Sequence, residues 1–179
     1  MAKKIVTTDT PTDEPSRGGI HTLSILVNND PGVLMRICQV FSRRAFNIDS
    51  LVVSEGRTRE FSRMTIGISG DPEGLEQIIK QVNKLIDVIH CTEHSAENSV
   101  VKEMLLVKIL VDASLRTEAL QIVDHFGGKA LDLTQKSMIA MFQGDSPKID
   151  AAVGMFSSFE VIETVRTGKV VMARGEQPT

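Results

Sequence analysis

Between His21 and Asn28 the chain alternates. HTLSILVN sets Leu23, Ile25 and Val27 on one face of an extended segment, the period of a half-buried strand. Past the polar residues 29–32 the period changes. Val33, Leu34, Ile37, Val40 and Phe41 recur at helical spacing and predict one amphipathic helix reaching to about Phe46. NIDSLVVS (47–54) and FSRMTIGI (61–68) return to strand character, and the polar SEGRTRE between them makes the pair a hairpin. DPEG (71–74) opens a second helix with Leu75, Ile78, Ile79, Val82 and Leu85 on one face, and LIDVIHCTE (85–93) reads as a fourth strand. The order strand, helix, strand, strand, helix, strand is the split βαβ arrangement of a ferredoxin-like unit.

After the polar AENSV the pattern repeats. EMLLVKILV is a strand, and SLRTEALQIVDHFGG is a helix stopped by Gly127 at its C′ position. KALDLTQ and SMIAMFQG form a hairpin around Gln135 and Lys136, SPKIDAAVGMFSSF is a helix, and EVIETVRTGKVVMA is the last strand. The fold class expected is α+β, two ferredoxin-like βαββαβ units. A tail covers 1–19, the first unit 20–95, a linker 96–102 and the second unit 103–174. In this topology the second strand is an edge. It carries Ile48, Leu51, Val52 and Val53 with no proline or lysine to guard it. Exposed apolar edges are usually paired, so a dimer through the first unit is expected.

Composition adds mainly exclusions. The 179 residues are 41% hydrophobic and 24% charged, ordinary for a globular chain with room for two small cores. Aromatics are 4%, all Phe, so those cores rest on Ile, Leu, Val and Met. A net charge of −3 offers no basic field for nucleic acid. Phe61 is the one aromatic in the strands of the first unit, too few for base stacking. Residues 1–19 have lysines but no apolar run behind them, and are read as a disordered tail rather than a secretory signal. No apolar stretch approaches the roughly 20 residues a membrane span requires. Cys38 and Cys91 are read as reduced thiols, and the localisation as cytoplasmic.

Catalytic chemistry is hard to find. HCTEH gathers His90, Cys91 and His94, yet on a strand His90 and Cys91 point to opposite faces, against a metal site. There is no nucleophile elbow, P-loop or dinucleotide fingerprint. Arg43 and Arg44 fit either a helix C-terminus, where cations complement the dipole, or a docking surface. Ser62 and Arg63 fit either a polar face or a contact with a larger protein.

One stretch invites a ligand. In NNDPGVL, Asp30 suits the N-cap and Pro31 the first helical position. Gly32, which costs a helix interior roughly 1 kcal/mol relative to Ala, then needs a reason. Helix starts leave backbone N–H groups unpaired and hold carboxylates, and glycine lets a ligand approach the backbone. Asn29 and Asn47 add amides that both donate and accept, a combination suited to an amino acid. The other reading is a tight turn with no ligand.

SILVNNDPGVLMRICQVFSRRAFNIDSLVV followed by FSRMTIGI resembles the N-terminal ACT domain of the regulatory small subunits of acetohydroxyacid synthase (acetolactate synthase). KEMLLVKI and VIETVRTGKVVMARG are similar to the C-terminal domain of that family. The resemblance implies a noncatalytic subunit that stimulates a catalytic large subunit and confers feedback inhibition by valine in branched-chain amino-acid biosynthesis. It implies no cofactor in this chain, with thiamine diphosphate, Mg and FAD in the partner. It implies an allosteric effector site at the interface of an ACT dimer. One chain would supply Asn29, Asp30, Pro31, Gly32, Val33 and Leu34, and its neighbour Asn47 and Ile48. Ala45 stands where this family usually has glycine: strained if that backbone needs a positive φ, harmless at an ordinary helix end. The alternative is a freestanding ACT-type amino-acid sensor without an enzyme partner. An enzyme on the same scaffold is disfavoured by the lack of catalytic groups.

Overall fold

The computed structural model describes residues 20–176 and 178–179; the tail expected over 1–19 lies outside the described residues. The first unit comprises β1 (Ile20–Asn28), α1 (Val33–Arg43), β2 (Asn47–Glu55), β3 (Phe61–Ser69), α2 (Pro72–Val82) and β4 (Val88–His94). The second comprises β5 (Ser99–Leu110), α3 (Arg116–His125), β6 (Lys129–Leu133), β7 (Ser137–Gly144), α4 (Ser146–Phe156), β8 (Glu160–Arg166) and β9 (Val170–Ala173). Each is a βαββαβ unit around an antiparallel sheet, so the fold is α+β. The strand orders are β2-β3-β1-β4 and β6-β7-β5-β8, with β9 paired to the first part of β5.

Alternation and helical spacing place the cores. Leu23, Ile25 and Val27 of β1 are fully buried with Ile66 and Ile68 of β3 against Ile37, Phe41 and Ile78 of the two helices. Leu105, Val107 and Ile109 of β5 do the same against Ala119, Ile149, Ala152 and Phe156. Burying each large side chain of this kind contributes about 1.5–3 kcal/mol.

Several boundaries differ from the pattern, beginning with α1, which ends at Arg43 rather than about Phe46 because the chain turns left-handed at Ala45. The strand expected from Leu85 begins at Val88, because a turn closes first: the Val88 N–H donates to the Leu85 carbonyl at 3.0 Å, and Ile86 stands 93% exposed. β5 starts at Ser99, inside the stretch read as linker, since Ser99 to Lys102 pair with β9. The last strand is two. Gly168, at φ 82°, breaks it, and the pairing slips by one residue across the break, from Leu105 opposite Arg166 to Lys102 opposite Val170. Finally, Asp30 does not cap α1, for the reason given below.

The face of the first sheet away from its helices is polar and yet covered. Thr22, Ser24 and Thr65 are buried there. Later residues of the chain meet the first sheet at Ser50, Val52 and Arg63. Gly168 sits against Ser50 and Val52, and Arg63 donates to Ser24 Oγ (3.2 Å) and to the Thr179 carbonyl. None of the helices among the described residues is long and apolar enough to cross a membrane.

Candidate functional site

The loop joining β1 to α1 is a turn before it is a helix. Asp30 accepts from the Val33 N–H through its carbonyl (3.4 Å), and Gly32 lies at φ 85°, ψ −4°. That is the third position of a type II turn, with Pro31 in the second. Gly32 therefore occupies the N-cap place in a left-handed conformation, and among the described residues no side chain caps the helix. The expected roles of Asp30 and Pro31 are corrected accordingly: the turn removes both from the helix. At DPEG, where glycine comes one residue later, Asp71 caps α2 through Gly74 N–H at 2.5 Å and Pro72 is its first residue.

The loop is held from both sides. Asn29 N–H donates to the Glu60 carbonyl (2.8 Å), and its Nδ2 to the Arg59 carbonyl (2.9 Å). Its Oδ1 accepts from Ser62 Oγ (2.8 Å). The charged turn 55–60 is thus the backing of this loop, and the Asn29 amide is spent on holding it. On the far side Asn28 N–H donates to the Asp87 carbonyl (2.9 Å), and Arg36 Nε donates to the Asp87 carboxylate (2.7 Å). Arg36 Nη1 lies only 3.2 Å from where a Cβ on Gly32 would stand. The guanidinium so overhangs the uncapped helix start, joining positive charge to a positive dipole end. Sequence reasoning passed over Arg36; its place one helical turn after Gly32 is the signal that could have found it.

The eight predicted residues do not meet in one chain. Asn29, Asp30, Pro31, Gly32 and Leu34 are exposed around the loop, while Val33 is buried in the core. Asn47 and Ile48 begin β2, beyond the other end of α1, whose 11 residues span about 16 Å. Asn47 Nδ2 donates to Asp49 Oδ1 at 2.8 Å, and Ile48 is half-buried against the first core.

The other groups singled out in the sequence are used internally. Cys91 faces the core, where burial pushes its thiol up to about 12, while His90 is exposed on the opposite face. His94 is buried, and burial, then Arg63 and His90, push its pKa down. Among the described residues no cluster of His, Cys, Asp or Glu is placed to hold a metal. Arg44 donates to Gln77 Oε1 (2.7 Å), joining the end of α1 to α2.

Residues 23–90 match the family model described as an AHAS small subunit-like ACT domain, and residues 102–175 that described as the small subunit of acetolactate synthase. The acetolactate synthase small subunit of Mycobacterium leprae is 41% identical over 155 residues, 87% of this chain and 92% of that protein. The probable acetolactate synthase small subunit of Archaeoglobus fulgidus is 39% identical over 157 residues, 88% and 98% of the two chains. The crystal structure of the acetolactate synthase small subunit from Thermotoga maritima superposes with a TM-score of 0.81 at 37% identity, covering 89% of this chain and 99% of that one.

Proposed function

The chain belongs to the acetolactate synthase small-subunit family, and from that premise we propose that it is a noncatalytic cytoplasmic subunit that binds the catalytic large subunit, stimulates it and makes it inhibitable by valine. The partner's thiamine diphosphate, Mg and FAD carry the condensation of pyruvate, or of pyruvate with 2-oxobutyrate; this chain holds no cofactor. The observation that carries the effector reading is the uncapped start of α1 at Gly32 beneath the Arg36 guanidinium. Backbone N–H groups, dipole and guanidinium there all favour a carboxylate. Valine's ammonium and side chain are met from a second chain, at Asn47 and Ile48, because these lie too far away within one protomer. Joining two β2 edges supplies that second chain. Valine can shift the dimer between arrangements only by its difference in affinity for them.

Gly32→Asp tests the site, with Gly32→Asn as its control. Both residues tolerate a positive φ better than other side chains, and only Asp adds a charge where the ligand carboxylate sits. With the large subunit present, Gly32→Asp is expected to abolish valine inhibition of acetolactate formation while stimulation persists, with a milder loss in Gly32→Asn. Full inhibition in Gly32→Asp places the effector elsewhere. A freestanding sensor is told apart by copurification: tagged chain that brings no large subunit from its native lysate, yet binds amino acids, favours the sensor.

A further inference from the structure

Thr167, Gly168 and Lys169 join β8 to β9 where the two units touch. A Cβ built on Gly168 would lie 2.8 Å from Cβ of Ser50 and 3.7 Å from Cγ2 of Val52. The contact is therefore bare backbone pressed onto β2. Thr167 fixes it to β5: its N–H donates to the Met104 carbonyl and its Oγ1 accepts from Met104 N–H, both at 3.1 Å. Arg166, one residue back, donates to the buried carboxylate of Glu103 and, through Nη1, to Asp150 of α4 at 2.7 Å. Ser146, the first residue of α4, donates to the same Glu103. Contacts so run without a gap from Ser50 through Gly168 and Arg166 into α4, whose Ile149, Ala152 and Phe156 are core.

Beside this contact lies a cavity of about 530 Å³. Asp49, Ser50 and Leu51 line one wall, and Asp150, Arg166 and Lys169 the other. Stiff contact and open space together are what a pivot needs, since a small turn of β2 displaces the loop without compressing a packed wall. β2 is also the strand that begins with Asn47 and Ile48.

We infer that the contact of Gly168 with Ser50 is the link by which effector binding on the first unit reorients the second. The inference rests on the effector reading above. Coupling requires an element with two arrangements, not contiguity alone, and the cavity leaves room for the second.

The test uses the full chain reconstituted with the large subunit, measuring acetolactate rate against valine, and valine affinity of the full chain by calorimetry. Gly168→Ala adds a Cβ against Ser50. Valine affinity is expected to stay within about twofold and stimulation to persist, while the inhibition midpoint rises about fivefold or more, the lower end of usual coupling. Ser50→Gly opens a gap at the same point and should weaken inhibition too. In the double variant the new methyl refills that gap, and inhibition should recover. Unchanged inhibition in Gly168→Ala, or no recovery in the double variant, overturns the link. If Gly168→Ala fails to fold, Ser50→Gly decides alone: weakened inhibition supports the link and unchanged inhibition refutes it. An unmodified chain that neither binds nor responds to valine overturns the effector reading, and the link falls with it.

Discussion

Ala45 is the one residue other than glycine with a positive φ among the described residues, at 56°. It ends α1 in a Schellman motif. Phe46 N–H donates to the Phe41 carbonyl and Ala45 N–H to that of Ser42, both at 3.1 Å. Gly127 holds the equivalent place after α3 at φ 59°, with Gly128 and Gly127 donating to Val123 and Asp124. The two units therefore use one device, with its usual residue in one and a strained residue in the other. Ala45→Gly is expected to stabilise the chain by about 1 kcal/mol, and Gly127→Ala to destabilise it by about as much, as shifts of the urea midpoint at constant m. A destabilised Ala45→Gly would contradict the strain. The sequence left two readings of Ala45 open. The backbone decides between them, because neither residue type nor spacing reveals the sign of φ.

Two of the four described helices, α2 and α4, begin where capping chemistry placed them; α1 and α3 follow Gly32 and Leu115 with no side-chain cap bond among the described residues. Asp71 and Asp145 accept from the N–H of the third residue of their helices, at 2.5 and 3.2 Å, as side-chain caps do. Asp30 carries the same signal but yields to the turn that Gly32 permits. Glu103 shows what pattern alone misses: it begins an apolar run in the sequence, yet it is 3% exposed and joins β5, β8 and α4. Burial is the largest influence on its carboxyl and pushes the pKa up. Arg166 first, then Ser146, outweigh it and hold the pKa below the ordinary glutamate value. A carboxyl whose folded pKa is depressed stabilises the fold above its unfolded pKa and loses that stabilisation as pH falls through the folded one. Unfolding free energy should therefore decline below about pH 4.5, and Glu103→Gln should flatten that decline. At pH 7 the same substitution is expected to cost about 2 kcal/mol, below the 3–5 of a fully buried pair because Arg166 is partly solvated. Parallel acid denaturation profiles for the two proteins would show that Glu103 carries none of it.

At the scale of the molecule, neither outer strand of the first sheet is paired on its outer side among the described residues, and β2 presents Val53 46% exposed. The proposed dimer joins two such edges. A lysine there is the means by which natural edges refuse partners. Val53→Lys is expected to shift sedimentation from dimer to monomer at micromolar concentration with the circular dichroism unchanged. A dimer that persists would move the interface to another surface.

The order of elements, the two cores and the repeat were legible in the sequence because periods of 2 and 3.6 record which side of each element is buried, within a few residues of chain. The loop at 29–32 stood out in the sequence by its residue types, but the left-handed turn at Gly32 did not. Residues far apart in the chain settled the rest. Arg36 gains its place over Gly32 by bonding Asp87, and Ser99 to Lys102 become strand because β9 lies beside them. Ser24 and Thr65, polar on an outward sheet face, are buried on the face where Arg63 bonds both Ser24 and the far-off Thr179. Local patterning determined what most segments became. Tertiary structure alone decided which segments meet, since a contact between distant residues leaves no period in either.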